Sequence, residues 1–258
     1  MILIFDIGNS NITAGLFIGD KLLFDFRLRS DTGDTERGYF IKSQVLLKKN
    51  GVNLADIHGC LVGSVVPALT GVMVKMVKKY FNISPVTMNS ETKLNIKNMY
   101  KNKKEVGEDR LANAAEARRE FGKKDMVIID FGTAITFDVV NKKGQYLGGT
   151  IIPGINMSLQ ALSDRTAKLP RLDMKFPVKT IGNTTEQAIR SGIAGLIAGG
   201  VNYTLEKMKK ELKAKDITVI LTGGEVTEKI AMKIREKNVV MDKHFTLKGF
   251  RYIYDMNS

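Results

Sequence analysis

Cysteine occurs once in the 258-residue sequence, at Cys60. That excludes an intramolecular disulfide and suits a reducing compartment. His58 and His244 are the only histidines, too few for a zinc cluster. The amino terminus has no basic stretch and reaches Asp6 at once, so no signal peptide is visible. The uncharged run Gly59 to Val74 is split by Pro67 and falls short of a membrane span. These absences predict a cytoplasmic protein without a membrane partner. A net charge of +13 raises the question of nucleic acid, but no aromatic-interleaved basic stripe accompanies it. The lysines are scattered along helix faces, as at Lys48-Lys49, Lys78-Lys79, Lys123-Lys124 and Lys142-Lys143. The charge therefore reads as solvated surface that favours anionic substrates, with no nucleic-acid partner.

What the chain has is an ordinary globular composition, 43% hydrophobic and 26% charged, and an opening stretch around which the rest is arranged. Ile2 to Phe5 is an apolar run bounded by Asp6 and Gly8, and the chain returns through Ile12, Ala14, Leu16 and Phe17. The pattern predicts a buried strand, a tight polar corner and a second strand. Gly8 permits close backbone approach, and Asn9, Ser10 and Asn11 offer short polar side chains, so the corner can hold a phosphate. Asp6 would repel a bare phosphate; its useful role is to hold a metal ion or metal-bound water beside it. Alone, this stretch also reads as an ordinary hairpin turn.

The pattern recurs at Val127 to Val140, where Asp130-Phe131-Gly132-Thr133-Ala134 aligns with Asp6-Ile7-Gly8-Asn9-Ser10. Two such corners, each directly after a buried strand, predict two homologous halves that could clamp a nucleotide's polyphosphate between them. In the first half a strand at Leu22 to Leu28 is followed by a helix at Glu36 to Lys49. Another strand runs from Cys60 to Val66, a helix begins at Pro67, and a short strand lies near Pro85 to Met88. Ser64 and the amides ahead of Pro67 could contact an anion or simply join strand to helix. Residues 91–108 read as a linker or binding loop with Tyr100 as its one aromatic. Gly107-Glu108-Asp109-Arg110 precedes a helix from Leu111 to Phe121 closed by Gly122. Asp109 could be an N-cap. Arg110 opposes the helix dipole there, which calls for another reason such as a substrate carboxylate or phosphate.

In the second half, strands are predicted at Met126 to Asp130, Ala134 to Val140 and Tyr146 to Ile152. Gly148-Gly149 would mark either close backbone approach or tight packing. A short helix at Asn156 to Leu162 and an irregular excursion from Asp164 to Gly182 come next. A long helix then opens with the capping box Thr184-Thr185-Glu186-Gln187. Its glycines 192, 195, 199 and 200 predict close helix packing within or between subunits. A strand at Ile217 to Leu221 leads to the turn Thr222-Gly223-Gly224-Glu225, where an adenine or ribose could rest.

The set Asp6-Ile-Gly-Asn-Ser-Asn11, Ser64-Val-Val-Pro67, Gly107-Glu-Asp-Arg110, Asp130-Phe-Gly-Thr-Ala134 and Gly148-Gly-Thr-Ile-Ile-Pro-Gly154 resembles type III pantothenate kinase, in that family's order and over nearly the whole chain. The resemblance implies an α/β fold of two duplicated ribonuclease H-like, actin-like ATPase domains with mixed sheets flanked by helices and the active site in the interdomain cleft. The expected domains are 1–108 and 109–258. It implies ATP-dependent phosphorylation of pantothenate to 4'-phosphopantothenate, the first step of coenzyme A biosynthesis. Asp6, Ile7, Gly8, Asn9, Ser10, Asn11, Ile12 and Thr13 would form the ATP phosphate loop, with Asp6 near magnesium and Thr133 a further ATP contact. Asp109 would be the general base. Tyr100, Gly107, Glu108, Asp109, Arg110 and Thr185 would bind pantothenate, Arg110 through its carboxylate. Asp130 would bind a monovalent cation, potassium or ammonium, and the protein would be a homodimer. Ser10, Glu108 and Ile135 depart from the residues common in the family; Ser10 keeps the hydroxyl, and Ile135 removes one polar contact. Another kinase of the same fold, or a non-catalytic regulator of transcription, are the alternatives.

Overall fold

Six residues at the amino terminus set the first layer. In β1 (Ile2–Ile7) Leu3, Ile4, Phe5 and Ile7 are all wholly buried, the mark of a central strand covered on both faces. It runs antiparallel to β2 (Asn11–Ile18) and parallel to β4 (Gly59–Ser64). With β3 (Lys21–Arg29) and β5 (Val86–Thr87) it makes a mixed sheet ordered β3-β2-β1-β4-β5. The computed structural model describes residues 1–166 and 168–258. A two-residue strand β6 (Lys97–Asn98) lies in the polar stretch that follows.

Helices α1 (Glu36–Lys49) and α2 (Pro67–Phe81) supply Tyr39, Leu47, Leu69, Met73, Met76 and Val77 to one face of this sheet, where they meet Leu3, Phe5 and Ile7. Thr35 caps α1 by accepting from Gly38 N at 3.1 Å, and Pro67 opens α2 where its missing N–H costs nothing. The opposite face carries Ile4, Phe17 and Leu61 against α3 (Glu108–Phe121) and α7 (Phe245–Asn257).

The second group of strands is β7 (Met126–Phe131), β8 (Ala134–Val140), β9 (Gln145–Pro153), β10 (Thr218–Thr222) and β11 (Asn238–Met241). They are ordered β11-β10-β7-β8-β9, with β7-β8-β9 antiparallel and β10 and β11 parallel additions. Counted from its own first strand, each unit therefore runs 3-2-1-4-5. The duplication inferred from the two aspartate corners extends to the whole sheet. Helices α4 (Ile155–Asp164), α5 (Thr185–Glu211) and α6 (Glu228–Ala231) close one face around Val127, Ile129, Phe131, Val219 and Leu221.

The chain packs as two compact units, Met1–Glu120 with His244–Ser258, and Phe121–Lys243. The division drawn at 108/109 in the sequence lies one helix earlier than this. Ala112 and Ala115 of α3 pack with Leu247, Phe250 and Ile253 of α7 on the first sheet. A Cβ at Gly249 would sit 2.1 Å from the Ala112 carbonyl, so the two helices touch backbone to backbone. The carboxyl-terminal helix thus returns to the amino-terminal unit.

Candidate active site

In the first unit the polar corner is built by short hydrogen bonds. Gly8 N donates to Asn11 O at 3.0 Å, closing the turn between β1 and β2. Ser30, at the end of β3, braces it twice: its hydroxyl donates to Gly8 O at 2.6 Å and its amide to Ser10 O at 3.1 Å. Asn9, Ser10 and Asn11 are exposed at the tip. Ile7 and Ile12 are wholly buried, so of the expected phosphate-loop residues these two can offer only backbone. Asp6 alternates with Phe5 and Ile7 and shares the sheet face of Ile4, the face on which α3 lies.

Helix α3 begins at Glu108, three residues earlier than its apolar pattern suggested, so Asp109 and Arg110 sit inside the first turn. The two carboxylates there favour the helix dipole. Glu108 Oε2 accepts from Ser64 N at 2.7 Å, and Asp109 Oδ1 accepts from Arg110 N at 2.8 Å. Burial pushes both carboxyl groups up, Glu108 to about 7 and Asp109 also upward. The Ser64 amide opposes the Glu108 shift while the Asp109 charge adds to it. The Arg110 amide and guanidinium oppose the Asp109 shift without cancelling it. Arg110 is only 7% exposed. Tyr100 is half-buried in the preceding loop, its amide held by Asn98 Oδ1 at 2.9 Å.

The anion contact considered for the start of α2 is not what the structure builds. Ser64 N is taken by Glu108, Val65 N by Ile7 O at 3.0 Å, and Val66 N by Ser64 Oγ at 3.0 Å. All three amides are taken, by α3, by β1 and by the Ser64 hydroxyl.

The second unit repeats the corner. Gly132 N donates to Ala134 O at 3.1 Å, as Gly8 does to Asn11, and Thr133 is exposed at the tip. Around it the chain closes in. Gly154 N donates to Thr133 O at 3.0 Å, and Glu225 N donates to Phe131 O at 2.8 Å. Gly223 adopts φ +98°, and a Cβ there would fall 2.3 Å from Asp130 Oδ1 and 2.6 Å from Phe131 N and O; only glycine fits. Glu225 also accepts from Ile155 N at 3.2 Å and from Asn156 Nδ2 at 2.8 Å, tying the start of α4 to the same turn. Sequence reasoning took this turn as a weak ribose or adenine site and did not single out Glu225. A glutamate after Gly-Gly was the only local sign of it.

Thr222 is the register partner of Asp130 and is wholly buried, with an Oγ1 that has no hydrogen-bond partner. A buried hydroxyl beside a carboxylate fits a hard cation held by oxygen. Among the described residues no group of three or more His, Cys, Asp or Glu side chains converges on a metal position.

A cleft of about 950 Å³ lies in the second unit, lined by Asn156, Phe176, Gly224, Glu225 and Met241 among others, a size that accommodates a nucleoside. Of the paired glycines of β9, Gly149 marks a close backbone approach: a Cβ there would lie 1.5 Å from Phe137 O on β8. Thr185 stands exposed on the first turn of α5. No described helix is long and apolar enough to cross a membrane.

Two mixed 3-2-1-4-5 sheets, each with an aspartate corner at the end of its first strand, define an α/β fold of two ribonuclease H-like units. An inorganic polyphosphate/ATP-glucomannokinase from Arthrobacter sp. strain KM shares the fold at a TM-score of 0.52, with 15% identity over 100% of this chain and 99% of that one. A Campylobacter jejuni protein described as a Baf family transcriptional activator does so at 0.59, with 21% identity over 99% and 98% of the two chains. The profile of type III pantothenate kinase matches residues 2–207. The Finegoldia magna type III pantothenate kinase is 38% identical over 100% of this chain and 98% of its own. The chain belongs to the type III pantothenate kinase family, and its reaction is the ATP-dependent phosphorylation of pantothenate in coenzyme A biosynthesis. As an ATP-using kinase it works with a divalent metal.

Proposed function

We propose that Asp109 is the general base that takes the proton from the pantothenate hydroxyl as it attacks the γ-phosphoryl group. The observation that carries this reading is its setting. Asp109 stands in the first turn of α3, its carboxyl raised by burial and one oxygen fixed by Arg110 N, on the sheet face toward which Asp6 also points. A raised carboxyl is a better base than a solvated one, and late proton removal in a loose transition state asks for no stronger group. Asp6 with Ile7 to Thr13 would cradle the ATP phosphates, Asp6 beside magnesium, with backbone amides and short side chains meeting the oxygens. Thr133 would be a second ATP contact. Tyr100, the backbone of Gly107 and Glu108, the side chains of Asp109 and Arg110, and Thr185 would bind pantothenate, Arg110 pairing with its carboxylate.

Asp130, with the buried Thr222 hydroxyl beside it, is the proposed monovalent cation site, for potassium or ammonium, which would supply local positive charge. The protein is proposed to be a cytoplasmic homodimer.

The test of the base is Asp109→Asn. Because burial disfavours the ionised form, the neutral amide should fold with unchanged or higher thermal stability, while turnover falls roughly 10²–10⁴-fold. Unchanged turnover would overturn the assignment. ATP consumption measured with and without pantothenate, in potassium and in sodium, tests substrate and cation together. Asp130→Asn should abolish the difference between the two salts.

A further inference from the structure

We infer that Glu108 is a positioning residue whose side chain ties the proposed base, Asp109, to the strand ends that carry the phosphate corner. This rests on the reading of Asp109 above and deepens it.

Residues one apart on a helix point about 100° away from each other, so Glu108 and Asp109 leave the first turn of α3 in different directions. The structure divides them. Glu108 reaches to β4, where its Oε2 accepts from Ser64 N at 2.7 Å, the length of a charge-assisted hydrogen bond. Ser64 pairs in register with Ile7, and the next amide, Val65 N, donates to Ile7 O at 3.0 Å. Gly8 follows Ile7 and closes the phosphate corner. The path from base to corner is thus Asp109, Glu108, Ser64, Ile7, Gly8, made of peptide bonds and short hydrogen bonds only.

The approach to this tether has no slack. A Cβ on Gly107 would lie 2.4 Å from Asp109 Oδ1 and 3.2 Å from Val65 Cγ1, so the segment before α3 lies tight between the base and the end of β4. Arg110 N holds the same Asp109 oxygen from the other side. Removing the Glu108 side chain leaves the Ser64 amide unpaired in a part-buried place and frees the first turn of α3 to shift. Misplacement by about 1 Å costs on the order of 10²-fold in rate.

The test uses Glu108→Ala, Glu108→Gln and Glu108→Asp in the full chain. Glutamine keeps an oxygen at the same reach; aspartate keeps the charge but withdraws it by one methylene. Expected are a 10- to 100-fold loss of kcat in the alanine and aspartate variants with KM for pantothenate changed less than about threefold, and recovery of at least tenfold in the glutamine variant. Protection of the Ser64 amide against hydrogen exchange should fall about tenfold with alanine and aspartate and be retained with glutamine. The inference is overturned if alanine leaves kcat within threefold of the parent. It is overturned equally if KM for pantothenate rises while kcat holds, which would make Glu108 a substrate contact, or if Ser64 exchange is the same in all four proteins. Absence of pantothenate turnover in the parent chain would instead overturn the assignment of Asp109, and the exchange measurement would still decide the tether.

Discussion

Glu108 and Asp109 are chemically near-identical neighbours that the fold treats differently. Burial raises both, but Glu108 has its oxygen on a backbone amide of strand β4, whereas Asp109 has its own on the next residue of its helix. For Glu108 the folded value of about 7 lies above the ordinary 4.5. Between those two values the folded chain holds more protons than the unfolded one, so this group's contribution to stability falls as pH rises from about 4.5 to about 7. Glu108→Gln should therefore gain in melting temperature relative to the parent across that window and keep a constant offset outside it, as thermal unfolding at a series of pH values will show. Gly223 is the second residue on which a site depends. Gly223→Ala forces a side chain into the left-handed region and against Asp130, and should cost about 1–3 kcal/mol in urea unfolding while weakening any potassium activation.

At the scale of elements, local signals did well where they are physical rules. Thr184 accepts from Gln187 N at 3.2 Å, and Gln187 Oε1 accepts back from Asn183 N at 3.2 Å, so the box read from the sequence forms, one amide further out than the standard pattern. Thr184→Ala should destabilise the second unit by about 1 kcal/mol, measured by chemical denaturation. The glycines of α5 leave a different kind of evidence. Cβ atoms built at Gly192, Gly195, Gly199 and Gly200 meet open space, so these residues do not serve close packing within the described chain. Leu196 and Tyr203 on the same helix are 64% and 63% exposed. The carboxyl-terminal helix α7 went unread, although Phe245, Leu247, Phe250 and Ile253 are all buried. No local rule tells such a helix which sheet it will cover.

For the whole molecule, the open face of α5 makes the homodimer proposal testable. Sedimentation equilibrium should give twice the 28.6 kDa chain mass, and Leu196→Glu should shift it toward the single chain by placing a charge where a second copy would sit. A single-chain mass for the parent would dispose of the proposal.

The sequence by itself determined that there are two aspartate corners, that each follows a buried strand, and that α1, α2 and α5 begin where Thr35, Pro67 and Thr184 put them. Those features depend on neighbours within a few residues, where steric and capping rules act directly. Family membership was legible for the same reason, since its motifs are short and local. Tertiary structure alone decided that α7 packs beside α3 in the first unit, that Gly149 serves packing against β8, and that the amides after Ser64 are spent. It also decided that Glu108 and Glu225 each pin a helix start to a strand end. In most of these the deciding partner lies far away in sequence, and a hydrogen bond of about 3 Å or a contact that admits no Cβ exists only once the strands have brought the two together.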